Sequence, residues 1–174
     1  MNIIGFAASN SKQSINKQLV SYALSLIPEA NCTVLDLNDF ELPLFSEDKE
    51  KELGQPELAQ KFLAQISSAD ALVISFAEHN GSYSAAYKNL FDWCSRIQPK
   101  VFHNKSMLLL STSPGARGGA SVLTAAVASA PFFGGEVRDH LSIPSFFDNF
   151  DMENKCVKNE LLNQQLLNAV KQLL

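Results

Sequence analysis

The sequence predicts an α/β fold: a doubly wound parallel sheet of five strands with helices on both faces. Three observations predict it. Short apolar runs bounded by turn residues alternate with longer stretches whose apolar residues recur at helical spacing. The runs "NIIGFA", "ALVISFA" and "SMLLLS" are apolar almost throughout, as central strands covered on both faces are. Polar loops rich in glycine or asparagine follow the first, third and fourth runs, at the carboxyl ends where right-handed crossovers leave ligand sites in such sheets.

The elements follow in order. "NIIGFA" (2–7) reads as the first strand, and Ile15, Leu19, Ala23, Leu24 and Ile27 mark one face of a helix that Pro28 closes. "CTVLDL" (32–37) is the second strand. The longest connection holds "ELPLF" and the charged run "EDKEKE" (47–52), read as a solvated loop. Leu58, Phe62 and Ile66 define a second helix, and "ALVISFA" (71–77) the third strand. A third helix carries Tyr87, Leu90, Phe91 and Cys94; "SMLLLS" (106–111) is the fourth strand. Val122, Leu123, Ala126 and Val127 form a fourth helix ending near Pro131, before the strand "EVRDHLSI" (136–143) and a helix on Leu162, Leu166, Val170 and Leu173. With no internal repeat and no linker, residues 1–174 read as a single domain.

Composition narrows the function classes. A chain of 174 residues is long enough to bury roughly two thirds of its unfolded surface. Its 46% hydrophobic and 18% charged residues and net charge of -4 describe a globular protein and argue against a nucleic-acid partner. Cys32, Cys94 and Cys156 are odd in number and lack C-x-x-C spacing, so reduced thiols are expected rather than a disulfide framework or a metal centre. No stretch approaches 18 consecutive apolar residues, so no membrane span is expected and a cytoplasmic location is.

The chemistry is read at the strand ends. "ASNSKQSIN" (8–16) joins the first strand to the first helix, where unpaired helix N–H groups and the positive end of the dipole favour an anion. Ser9, Ser11, Ser14 and Asn16 suit a cage around a single phosphate; the alternative is that Ser14 merely caps the helix. Neither G-x-x-x-x-G-K-[ST] nor G-x-G-x-x-G is present, which disfavours a triphosphate or pyrophosphate. After the third strand, "AEHNGS" places a tight turn at Asn80 and Gly81 that aims several backbone groups at one place, or simply turns the chain. "STSPGARGGAS" (111–121) lets the backbone approach a ligand closely and brings Arg117, a fixed cation, or else caps a helix.

Together "ASNSKQSIN", "AEHNGS" with "YKNLFDW", and "SPGARGG" resemble the ordered motifs of the NADPH-dependent FMN reductase family, nearly end to end. The resemblance implies a flavodoxin-like sheet of strand order 2-1-3-4-5. It also implies FMN as cofactor, NADPH or NADH as hydride donor, and a quinone, flavin or azo compound as small-molecule acceptor in a ping-pong reaction. On the family's pattern, Ser9, Ser11, Ser14, Ile15 (through its backbone) and Asn16 hold the phosphate. Ala77, Glu78, His79, Asn80 and Gly81 form the turn against the isoalloxazine, and Ser113, Pro114, Gly115 and Arg117 form the third loop. Three positions depart from it: Ser11 stands for an arginine, with Lys12 beside it, Ala77 for a proline, and His79 for a tyrosine.

With FMN supplying the chemistry, no catalytic acid, base or nucleophile is required of the chain. His103 and His140 read as structural. The family usually forms dimers or tetramers, and "ELPLF" and "FFDNF" are apolar loop segments that a monomer would expose, so a homodimer or homotetramer is expected. Two other classes remain on the same scaffold: a flavodoxin-type electron carrier and a cofactor-free interaction or regulatory module.

Overall fold

A computed structural model describes residues 1–174. Strand period assigns the two faces of its sheet. In β1 (Asn2–Ala8), Ile4, Phe6 and Ala8 enter one core cluster while Ile3 enters the other, because successive side chains point to opposite faces. β3 (Ala71–Phe76) repeats the division, with Leu72, Ile74 and Phe76 on one side and Ala71 and Val73 on the other. β2 (Asn31–Leu35), β4 (Lys105–Thr112) and β5 (Gly135–Ile143) complete five parallel strands in the order β2-β1-β3-β4-β5, the predicted flavodoxin-like order. The chain steps outward from β1 to β2 and then returns to lay β3 on β1's other side. The strand order therefore reverses between β1 and β3, where a crevice must open.

Helices cover both faces, as expected. α1 (Ile15–Ser25) and α6 (Glu160–Leu173) bury Leu19, Val20, Ala23, Leu166 and Val170 against Ile3, Val73 and Leu110. α3 (Glu57–Ser68), α4 (Ala85–Ile97) and α5 (Ala120–Ser129) pack the opposite face, where Phe6 meets Phe62 edge-on with ring centroids 5.4 Å apart. The buried face of α3 is Ala59, Phe62, Leu63 and Ile66, while Leu58 is only partly covered.

Local hydrogen bonding redraws some sequence expectations. "EDKEKE" is not a loop but helix α2 (Glu47–Leu53). Ser46 Oγ caps it by accepting from Lys49 N at 3.1 Å, and Glu47, Asp48 and Glu50 lie in its first turn, complementing the helix dipole. It buries no residue, so apolar spacing carried no sign of it. β2 stops at Leu35 because Asp36 turns the chain, its carboxylate accepting from Asn38 N at 2.9 Å, and Leu37 enters a 3-10 turn. In "FFDNF", Phe146 and Phe150 are buried and stacked at 4.6 Å, which leaves only Phe147 exposed. "ELPLF" is likewise clamped rather than loose. Asn89 Nδ2 donates to Leu42 O and Pro43 O, Asn89 Oδ1 accepts from Phe45 N, and Trp93 Nε1 donates to Pro43 O at 2.8 Å. Leu44 stays exposed.

Asp36 also anchors the first turn of α1, meeting Lys17 Nζ at 2.5 Å. That contact, helped by Asn38 N–H, lowers the Asp36 carboxyl to about 2. A depressed carboxyl contributes stability above its unfolded pKa and loses it as pH falls through the folded value. With a third of the Asp36 side chain exposed, solvent screening leaves about 1 kcal/mol of this contribution. Lys17→Met is therefore expected to unfold more easily than the wild type by about that amount at pH 7. Urea titrations should show the difference shrinking between about pH 4 and pH 2.

Candidate functional site

The crevice at the switch point is about 200 Å³ in volume and is walled by three chain turns. Ser9, Ser11, Gln13, Ser14, Ile15 and Asn16 come from the β1–α1 elbow. Ala77, Glu78 and His79 follow β3, and Thr112, Ser113 and Pro114 follow β4. Ten residues expected from the sequence thus meet there. Asn80, Gly81, Gly115 and Arg117 do not line it.

The elbow is shaped by its own hydroxyls. Ser9 Oγ accepts from Ser11 N at 3.2 Å, and Ser14, the N-cap of α1, accepts from Lys17 N at 3.2 Å. Both readings of Ser14 therefore hold: it caps the helix, and it also lines the crevice. The amides of Ile15 and Asn16, first and second in the helix, find no acceptor within the chain and belong to crevice-lining residues. No lysine or arginine lines the crevice; Lys12 is exposed outside it and Lys17 is held by Asp36. What favours an anion there is the helix N-terminus with its free peptide N–H groups, and not a side-chain cation.

After β3 the chain makes a two-residue hairpin, pairing Glu78 with Tyr83 and His79 with Ser82. Asn80 (φ 51°) and Gly81 (φ 77°) are both left-handed, the conformation a type I′ turn requires and the reason that pair of residues closes it. The turn thus aims its tip outward, while Ala77 and Glu78 face the crevice. Glu78 does more than line it: its carboxylate accepts from Val122 N at 2.9 Å, capping α5, whose own N-cap is a glycine with no side chain to offer. Ser84 ties the hairpin back to the elbow, donating to Ala8 O at 2.8 Å while capping α4.

The third turn is anchored from behind. Ser111 Oγ and Ser142 Oγ both donate to Gly118 O, at 2.7 and 2.9 Å, and Thr112 Oγ1 donates to Ile143 O at 2.7 Å. Ser145 N and Phe146 N donate to Gly115 O and Ser113 O. Arg117 points away to an exposed position, its guanidinium donating to Ser121 Oγ at 2.9 Å. Sequence reasoning missed Gln13 and Thr112 in the wall and Ser75 and Ser84 behind it. Ser75 was the readable signal, a hydroxyl buried in an otherwise apolar strand.

Comparison with known proteins completes the description. Residues 1–148 match the family model described as NADPH-dependent FMN reductase. The chain belongs to that family. A NAD(P)H-dependent FMN reductase of Pseudomonas aeruginosa is 32% identical over 121 residues, 69% of this chain and 64% of that protein. A 2-hydroxy-1,4-benzoquinone reductase of a Burkholderia species is 37% identical over 111 residues, 63% of this chain and 58% of that protein. This chain thus spans less than two thirds of the length of either relative. Among solved structures, the Paracoccus denitrificans flavoenzyme NAD(P)H:acceptor oxidoreductase FerB shares the fold, with TM-score 0.78 and 22% identity over 99% of this chain and 94% of that one. Where the resemblance leads to the expectation of an arginine in the elbow, this chain has Ser11. The structure supplies no other cation in its place.

Proposed function

We propose that this chain is an FMN-dependent NAD(P)H oxidoreductase that passes two electrons to a small quinone, flavin or azo acceptor. The observation that carries this reading is the pair of unpartnered α1 amides, Ile15 N and Asn16 N, set among the hydroxyls of Ser9, Ser11 and Ser14 in a crevice at the strand-order reversal. Such a donor set fits a phosphate monoester, since N–H and O–H groups can all donate to its oxygens while the helix dipole favours its charge. The family's flavin mononucleotide has such a phosphate, and the wall of Ala77, Glu78, Ser113 and Pro114 offers backbone edges for a flat ring.

When bound, FMN supplies two-electron transfer between a nicotinamide and the acceptor. The chain's residues bind and orient. The elbow holds the phosphate end. The hairpin and the third turn, braced through Glu78 and α5, hold the ring end in a fixed relation to it. His79 lines the crevice and is exposed, which supports a part in meeting an acceptor rather than in setting flavin affinity. His79→Tyr is therefore expected to shift acceptor preference and leave the FMN dissociation constant nearly unchanged, as parallel steady-state assays with a quinone and an azo dye would measure. Donor and acceptor are expected to use the ring in turn, giving ping-pong kinetics.

This reading includes assembly and location. Leu44, Phe132 and Phe147 remain as exposed apolar side chains, which supports a second copy covering part of the surface. Light scattering should return at least twice the 19.1 kDa chain mass, and a mass of one chain at micromolar concentration would contradict it. Free Cys32, Cys94 and Cys156 support a reducing, cytoplasmic setting. The functional test is flavin titration: quenching of FMN fluorescence by the purified protein, followed by NADPH oxidation that depends on added FMN and quinone.

A further inference from the structure

Asn16 carries the most exacting polar environment in the molecule. It is 3% exposed, and its carboxamide bridges two strands far away in sequence. Asn16 Oδ1 accepts from Ser75 Oγ at 2.7 Å and from Thr112 N at 3.1 Å, while Asn16 Nδ2 donates to Thr112 O at 3.2 Å. The location explains the pattern. β3 pairs with β4 only as far as Phe76 and Ser111, so Thr112, one residue further, has no β3 partner for its backbone N–H and C=O. On its other side Thr112 still pairs with Ile143 of β5. The Asn16 carboxamide, with one acceptor and one donor side by side, takes the place of the missing strand residue. Buried backbone groups must be paired, and here a helix side chain pairs them.

From this we infer that the Asn16 side chain is a positioning clasp and not a phosphate ligand: it locks the first turn of α1 onto the ends of β3 and β4. Asn16 then serves the phosphate only through its backbone N–H. The inference rests on the reading that the crevice takes the FMN phosphate, and it names what holds that phosphate cage in shape. A cage without a side-chain cation depends on the exact direction of its N–H groups, because such bonds weaken steeply when bent. Fixing α1 against the sheet supplies that direction. Ser75 is the second half of the clasp. It is fully buried, lies outside the crevice wall, and cannot touch a ligand there.

The test measures FMN and riboflavin binding side by side for the wild type, Asn16→Ala and Ser75→Ala. Riboflavin has the ring but no phosphate, so a general weakening of the protein lowers both affinities together, whereas a misplaced phosphate cage lowers only that for FMN. The expected result is an FMN dissociation constant raised about tenfold in Asn16→Ala and about threefold in Ser75→Ala, from lost bonds of ordinary strength, with riboflavin binding little changed. Hydrogen exchange of the Thr112 amide, measured without any flavin, should quicken in both variants. Where Asn16→Ala fails to fold, Ser75→Ala alone decides. Wild-type FMN affinity in folded Ser75→Ala overturns the clasp, as does an equal loss of FMN and riboflavin. A wild-type protein that ignores FMN would instead overturn the underlying reading, and the Thr112 exchange would still test the clasp itself.

Discussion

Gly118→Ala is expected to destabilise the protein by about 3 kcal/mol or more. Two separate penalties add at this position. Its backbone sits at φ +58°, where a Cβ meets the following carbonyl and costs roughly 1–2 kcal/mol. A Cβ there would also strike Ser142 Oγ and come within 2.9 Å of Ile143 O. The second neighbour is the backbone of β5, held in the sheet against β4, so it cannot give way cheaply. Relief would require the third turn to leave β5, which breaks the bonds from Ser111 and Ser142 to Gly118 O and shifts the wall that Ser113 and Pro114 provide. FMN affinity should fall with stability. The matched control is Gly115→Ala in the same turn, where a Cβ has only Ser113 Oγ nearby, at 3.9 Å, and no left-handed backbone is required. Urea unfolding should show a much lower midpoint for Gly118→Ala and a nearly unchanged one for Gly115→Ala. Equal midpoints would refute this account of the turn.

Ile15→Pro should weaken FMN binding at least about tenfold while leaving the fold in place. Proline is well suited to the first position of a helix, since the amide it lacks has no intrahelical partner. Ser14, at φ -62° and ψ 120°, already has the extended conformation that a following proline imposes. Part of the Ile15 side chain packs against the core, so a modest loss of stability accompanies the change. What is removed cleanly is one N–H of the proposed phosphate cage. A hydrogen bond to a charged group contributes about 1.5–3 kcal/mol, which converts to roughly ten- to a hundredfold in the dissociation constant. Riboflavin, without the phosphate, should bind the variant and the wild type alike. A folded Ile15→Pro protein with undiminished FMN affinity would move the phosphate away from α1.

How much of this was legible in the sequence follows from the range of the forces involved. The five strands and their helices were readable because burial on one or both faces imposes a period on the side chains. Helix α2 was not, because it buries nothing and is held by Ser46 and the dipole-complementing acids of its first turn. Ten of the proposed site residues converge because loops at adjacent strand ends must meet. Arg117 does not join them: its charge suggested an anion partner, but the two glycines after it turn the chain so that the guanidinium reaches Ser121 instead. Asn16 is readable in the sequence as a candidate site residue, but the partners of its side chain are not. Its residue type suits both a phosphate and a peptide group, and only the ends of β3 and β4, 59 and 96 residues away, show which partner its side chain has. In the same way "FFDNF" reads as a sticky loop until Phe146 and Phe150 are seen stacked in the core.

The central claim is that FMN, held in this crevice, mediates electron transfer from a nicotinamide. The measurement that tests it most directly is the visible spectrum of the FMN-loaded protein before and after anaerobic addition of NADPH, and separately of NADH. The account predicts a yellow, stoichiometric complex whose absorbance bleaches on adding one of the two donors and returns on adding a quinone. A protein that binds FMN fully and is bleached by neither donor would contradict it.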